Sequence, residues 1–370
     1  MRTLLLFMLF CSSAWASPGR YGYMDRSGKT TIAPQYEFAR DFSEGLAAVR
    51  LGNLWGYIES SGDLLLENIY EDAWSFSEGL APVKLGGRWG YINSAGTLQI
   101  APRFDDAGAF SEGLARVKSG GRWGYIDKSG QFRIPPRYSS AYGFSEGRAP
   151  VRKGRKWGYI DREGNFILPA KFAAARGFVG GVAAASQNGK WGFINSAGRW
   201  TVKPRFDAVT SYSAGAAGAM RGGKWGLVDG RGRWTVRPRF DNLYGFSGGL
   251  APAEKNGLWG LIDGRGRWRI KAQHPDMGAL SEGVATVQES KETALKTQQI
   301  AHRSSAPHEA PSATAADKKQ ADNEYLKGLV CYERGELTCA RDAWLATKKL
   351  HPGHPNVDAW LERLATQWGL

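Results

Sequence analysis

Arg122–Ile134 reads RWGYIDKSGQFRI. In extended chain, successive side chains point to opposite faces. Trp123, Tyr125 and Asp127 therefore share one face, and Gly124 and Ile126 the other. Lys128-Ser129-Gly130 has turn chemistry, and Gln131–Ile134 reads as a second strand. After a loop over Arg137–Gly147, Arg148–Arg152 makes a third strand, and Gly154-Arg155 turns into the next Trp-Gly segment. The unit is a three-stranded meander.

The unit repeats. Trp-Gly recurs at Trp55, Trp89, Trp123, Trp157, Trp191, Trp225 and Trp259, always 34 residues apart, and Tyr21-Gly22 sits one period upstream as a degenerate first copy. Gly28, Gly62, Gly96, Gly130, Gly164, Gly198, Gly232 and Gly266 keep the same step. So do an aromatic register from Tyr36 to Phe240 and another from Phe42 to Phe246. Ser-Glu-Gly at Ser43–Gly45 returns at Ser77, Ser111, Ser145 and Ser281. Eight copies without insertion mean that each unit stacks on its neighbours in one geometry. Helical repeats share this period but are excluded here. Each unit carries several glycines and often a proline, as at Pro102, Pro136, Pro204 and Pro238. Inside a helix these cost about 1 and about 3 kcal/mol respectively.

KWGYIDREGNFILPAKF at Lys156–Phe172, followed by a Phe-Ser-Glu-Gly-like segment, resembles the WG (KWG) β-repeat family. The resemblance covers Arg20 to Glu289 and implies an all-β repeat fold while saying little about activity. Two closures fit. The repeat starts mid-unit at Tyr21 and ends mid-unit at Val284–Gln288, so the last strand can pair with the first in a propeller-like ring, the reading favoured here. The other is an open β-superhelix.

Residues 1–16 read as a secretory signal: Arg2, the apolar run Leu4–Phe10, then Ala14-Trp15-Ala16 with cleavage after Ala16. A lipid anchor at Cys11 is disfavoured by the bulky Phe10 before it. The expected location is periplasmic or secreted, with no transmembrane segment in the mature chain. Residues 17–289 form the repeat domain, and 290–321, poor in large apolar residues, a linker. Residues 322–370 are helical in pattern; Gly328, Ala340, Trp344 and Pro352 stand where a tetratricopeptide unit places its glycine, alanine, aromatic and proline. Cys331 and Cys339 lie symmetrically about Gly335, a candidate disulfide in an exported protein.

The net charge of +14 is uneven. Ser17–Lys84 holds 6 basic and 10 acidic residues, net −4, and Leu85–Ser290 holds 31 and 15, net +16. Basic residues share repeat positions: Arg103, Arg137, Lys171, Arg205 and Arg239 in one register, Arg88, Arg122, Lys156, Lys190 and Lys224 in another, Arg199, Arg233 and Arg267 in a third. Equivalent positions align in a repeat protein, so each register is a row of charge, either an anion-binding surface or a solvated rim whose stems cover tryptophan. The seven tryptophans read as a core layer rather than a carbohydrate platform. The Asp25-to-Asp263 register reads as turn chemistry, not calcium ligands, and the Ser-Glu-Gly glutamates as loop caps, not catalytic acids. His274, His302, His308, His351 and His354 all lie at or beyond the end of the repeats, with no nucleophile motif, zinc spacing or phosphate loop. No catalysis, cofactor or metal is expected. The sequence points to an exported binding scaffold whose basic arc meets an acidic glycan, a lipid surface or another envelope or secreted protein. Nucleic acid is disfavoured by export. A pure protein–protein adaptor acting through the C-terminal module is the alternative, and a glycan-active enzyme a remote one.

Overall fold

The computed structural model describes residues 19–213 and 215–289 and, toward the C-terminus, residues 320–321, 324–325, 327–328, 331, 337–351, 357 and 361. The signal segment, Cys11 and nearly all of the linker lie outside the described residues.

Each 34-residue unit contributes one blade. Ala149–Lys153, Lys156–Ile160 and Phe166–Phe172 form the antiparallel meander, with Lys153 opposite Lys156 at the tight hairpin. The structure adds a short edge strand, Ser140–Ala141, drawn from the segment read above as loop. In two blades this edge lengthens to Asp106–Ser111 and Ala174–Val179. Seven sheets are four-stranded in this way.

The eighth sheet closes the ring. Val284–Gln288 pairs antiparallel with Tyr21–Asp25, from Tyr21 opposite Gln288 to Asp25 opposite Val284, and Thr30–Tyr36 completes the blade. The chain is an eight-bladed β-propeller with a small C-terminal helix, and the open superhelix is ruled out. Closure pairs the two strand edges that an open array would expose.

The glycine of each Trp-Gly pair has a steric role. Trp123 pairs with Tyr138 and Tyr125 with Ile134, so two residues on one strand face four on the other, and the partner bulges. A Cβ on Gly124 would lie 2.5 Å from the Ile134 carbonyl oxygen and 2.7 Å from the Pro136 nitrogen. The prolines of Phe132–Tyr138 sit in this bulged strand, where a missing N–H is tolerated.

The core lies between blades. Trp89, Tyr91, Ile100 and Phe104 of one blade pack on Phe110, Ala115, Val117 and Ile126 of the next. Tyr125, fully buried, meets Phe144 edge-on at 4.9 Å and donates its hydroxyl to the Tyr142 carbonyl at 2.7 Å. Tyr23, Tyr57, Tyr91 and Tyr159 make the same bond to the carbonyl 17 residues downstream, at Arg40, Trp74, Gly108 and Arg176.

The Ser-Glu-Gly loops fasten neighbouring blades. The Ser43, Ser77, Ser111 and Ser145 hydroxyls donate to the carbonyls of Phe76, Phe110, Phe144 and Phe178, and Ser281 donates to Phe42 across the closure. Each glutamate adopts φ of 50–57° and its carboxylate accepts the N–H of the following blade's glycine. Glu282 thus holds Gly45, Glu44 holds Gly79, Glu78 holds Gly113, Glu112 holds Gly147 and Glu146 holds Gly181.

The C-terminal region requires a correction. The one helix described along its whole length is the short Leu337–Leu350, so the multi-helix tetratricopeptide-like module read from the sequence is not what the structure shows. Gly328 and Trp344 do meet, but the cluster of Tyr325, Cys331, Ala340 and Trp344 is completed by Ile69 of a propeller blade. Tyr325 reaches Glu67 at 3.3 Å. Apolar periodicity marks a face that needs cover without saying what covers it, and here a blade helps supply it. Cys331 and Cys339 are disulfide-bonded, with Cα atoms 5.7 Å apart.

Candidate functional site

Antiparallel alternation sorts the loops to two ends of the blades. The hairpins that enter the Trp-Gly strands lie at one end, and the Asp turns and Ser-Glu-Gly loops at the other. The basic registers divide accordingly into spent and available charge.

Arg103, Arg137, Arg205 and Arg239 are spent. Each Nη2 donates to the turn-glycine carbonyl of the next blade, Gly130, Gly164, Gly232 or Gly266, at 2.5–2.7 Å. Each guanidinium also lies 5.1–5.3 Å from the ring of the aromatic residue beside it. Lys171 keeps only the ring contact, to Phe172 at 5.3 Å. In the third register Arg233 and Arg267 pair with Asp229 and Asp263 of their own turns.

The hairpin-end register is split. Arg88, Lys190 and Lys224 pair with Asp105, Asp207 and Asp241. Those carboxylates also accept hairpin N–H groups, from Gly121, Gly222 and Asn256. The Gly121 N–H, with Arg88 behind it, holds the Asp105 carboxyl below the ordinary carboxylate range. Arg122 and Lys156 have no such acid, because Ser139 and Ala173 occupy the equivalent positions. Both are exposed, as is Arg155 between them in sequence, and none makes an ion pair among the described residues. Lys153, also exposed, rests over Phe166 at 5.8 Å. At this end of the blades the result is a local concentration of unneutralised charge, on two adjacent blades. The sequence held the signal, but it required reading the acidic register against the basic one.

The tryptophan register packs inward. Trp55, Trp89 and Trp259 are buried, and Trp123, Trp157, Trp191 and Trp225 half-buried against core clusters. Arg40 lies over Trp55 and Trp74, and Arg116 over Trp123. Asp127 accepts the Ser129 and Gln131 N–H groups of its own turn, as Asp25, Asp161, Asp229 and Asp263 do in theirs. Among the described residues no group of three or more His, Cys, Asp or Glu side chains is placed to hold a metal. His274 lines a cavity of about 350 Å³ with Met24, Thr30, Pro34 and Gln273, and burial pushes its pKa down. Among the described residues no helix is long and apolar enough to cross a membrane.

Asp41 was not singled out by sequence reading. It stands where the other repeats have Ser, Ala or Gly. Burial pushes its pKa up to about 6, against the opposing 3.4 Å hydrogen bond from Thr286 of the closing strand. A carboxyl with a raised folded-state pKa binds more protons folded than unfolded, so its penalty is absent at acid pH and grows as pH rises through that value. Asp41→Asn is therefore expected to stabilise the protein at neutral pH by on the order of 1–2 kcal/mol and to change little below the ordinary carboxylate pKa. Denaturant melts at the two pH values check this; an equal gain at both removes the electrostatic cause.

The model of the WG containing repeat matches residues 21–55, 55–89, 89–123, 123–157, 157–191, 191–225, 225–259 and 259–291. No curated protein matches the sequence. Among solved structures the chain is similar to PorZ, a bacterial surface component of the type-IX secretion system of Porphyromonas gingivalis, at 9% identity and TM-score 0.41. The match covers 65% of this chain but only 38% of the PorZ chain. A eukaryotic initiation factor matches at 12% identity and TM-score 0.44, covering 74% of this chain and 85% of its own. Hsv2 of Kluyveromyces lactis matches at 12% and 0.37, covering 50% and 70%.

Proposed function

We propose that this chain, which belongs to the WG containing repeat family, is a non-catalytic propeller scaffold that binds an acidic partner at the hairpin end of its blades. The reading is supported by one observation. Where Asp105, Asp207 and Asp241 neutralise the basic register, Ser139 and Ala173 leave Arg122, Arg155 and Lys156 exposed without a carboxylate. Excess positive charge on one surface attracts polyanions and speeds their encounter, with strong dependence on salt. With the export signal expected from the sequence, the partner is an acidic glycan, lipid or protein surface of the cell envelope or beyond it.

The test uses an acidic polymer without carboxylates, dextran sulfate, titrated at low and moderate salt. Arg122→Glu, Arg155→Glu and Lys156→Glu together are expected to weaken binding by about tenfold or more at low salt, with the melting temperature unchanged. Reversal at Arg103, Arg137, Arg205 and Arg239 would instead break interblade bonds. Binding unaltered in the hairpin variant would remove this reading.

A further inference from the structure

The Ser-Glu-Gly belt holds a carboxylate at five of eight interblade positions. At the other three the glutamate is replaced by Gly180, Ala214 and Gly248. The glycines that would be held are present: Gly215, Gly249 and Gly283, with φ of 82°, 80° and 90°, close to the 71–83° of Gly45, Gly79, Gly113, Gly147 and Gly181. Their N–H groups have no acceptor among the described residues. They follow one another on three successive interblade positions, at the Asp-turn end and thus opposite the hairpin patch.

One of the three keeps a cation as well. Lys128, in the Asp turn of the next blade, pairs with Glu78 at 3.4 Å while Glu78 accepts the Gly113 N–H. Arg162 takes the corresponding place beside Glu112. Across the closure this register continues to Arg26, whose Nη2 lies 2.9 Å from where a Cβ of Gly248 would be. A guanidinium and a glycine N–H, from Arg26 and Gly283, therefore flank a position that elsewhere in the ring is filled by a glutamate carboxylate. Arg231 and Arg265, exposed in the turns of the two preceding blades, extend the positive charge along the arc.

We propose that Gly215, Gly249, Gly283 and Arg26 form a carboxylate-binding site that takes the glutamate side chains of an acidic peptide. A glutamate is the occupant because the ring itself seats glutamate at the five equivalent positions, on N–H groups of the same conformation. Charge-assisted hydrogen bonds from N–H and guanidinium supply the affinity. The site is independent of the hairpin patch.

The experiment titrates a labelled triglutamate peptide by fluorescence anisotropy against the full chain carrying Arg122→Glu, Arg155→Glu and Lys156→Glu, so that hairpin-end binding does not contribute. Gly248→Glu in that background places the missing carboxylate; its backbone angle, φ 56°, is one that Glu44 and Glu78 already adopt, and the added side chain meets two side chains, Arg26 and Leu280, that must give by a few tenths of an ångström. It is expected to lower peptide affinity by about tenfold while melting no lower than its parent, and Arg26→Gln is expected to weaken binding by a similar factor. A triglutamine peptide is expected not to bind. Equal affinity of the parent and Gly248→Glu for triglutamate overturns the proposal, as does tighter binding of trigalacturonate than of the peptide.

Discussion

Ending the chain after Gly283 is expected to abolish cooperative folding of the propeller, whereas ending it after Glu289 is expected to leave the ring folded. The six residues between these ends include Val284–Gln288, the strand that pairs with Tyr21–Asp25 on the side away from Thr30–Tyr36. They bury Ala285, Thr286 and Val287 and cover Tyr23 and Met24. Each lost ladder bond costs about 1 kcal/mol and each uncovered apolar side chain about 2 kcal/mol. The sum is comparable with the about 5–15 kcal/mol that holds a typical domain folded. In an open array the loss would shorten one end; in a ring it removes the join that positions every blade. Ser281 and Glu282, which reach Phe42 and Gly45 across the closure, are retained in both truncations, so the difference between them lies in the strand itself. Circular dichroism and tryptophan emission through a urea titration distinguish the outcomes. A chain ending at Gly283 that melts like one ending at Glu289 would show that the closing strand is dispensable.

Gly124→Ala should be among the most damaging single methyl groups that can be added to a blade. The added carbon would overlap the Ile134 carbonyl and the Pro136 nitrogen, backbone atoms of the bulged strand that pairs on either side of them at Ile134 and Tyr138, so no side chain can rotate aside. Overpacking of this kind costs about 3 kcal/mol or more, because the bulged strand must separate. Gly121→Ala is the control. Gly121 sits at a hairpin tip with φ 76° and nothing within 4 Å of its virtual Cβ, so its cost is confined to a left-handed backbone, about 1 kcal/mol. Urea midpoints of the two variants measure the difference. Equal losses would mean that Gly124 serves conformation rather than clearance. The same contact recurs at Gly22, Gly56, Gly90, Gly158, Gly192, Gly226 and Gly260, which is the physical reason the dipeptide marks every repeat.

The sequence by itself determined the repeat, its count, the β character of each unit and the presence of complementary half-units at the two ends, because period, turn residues and strand alternation are local properties. It also held the disulfide pair. Only the tertiary structure decided that the half-units meet, that the glycine after tryptophan makes room for a bulged neighbour, and that the most regular basic register is bound to backbone carbonyls of the next blade. It likewise replaced the multi-helix tail with one short helix, described along its whole length, whose apolar cluster is completed by Ile69. These outcomes depend on which residues from different repeats come within a few ångströms of one another. A linear pattern specifies equivalence between repeats, but the charge or methyl group that matters is set by the partner across the blade boundary.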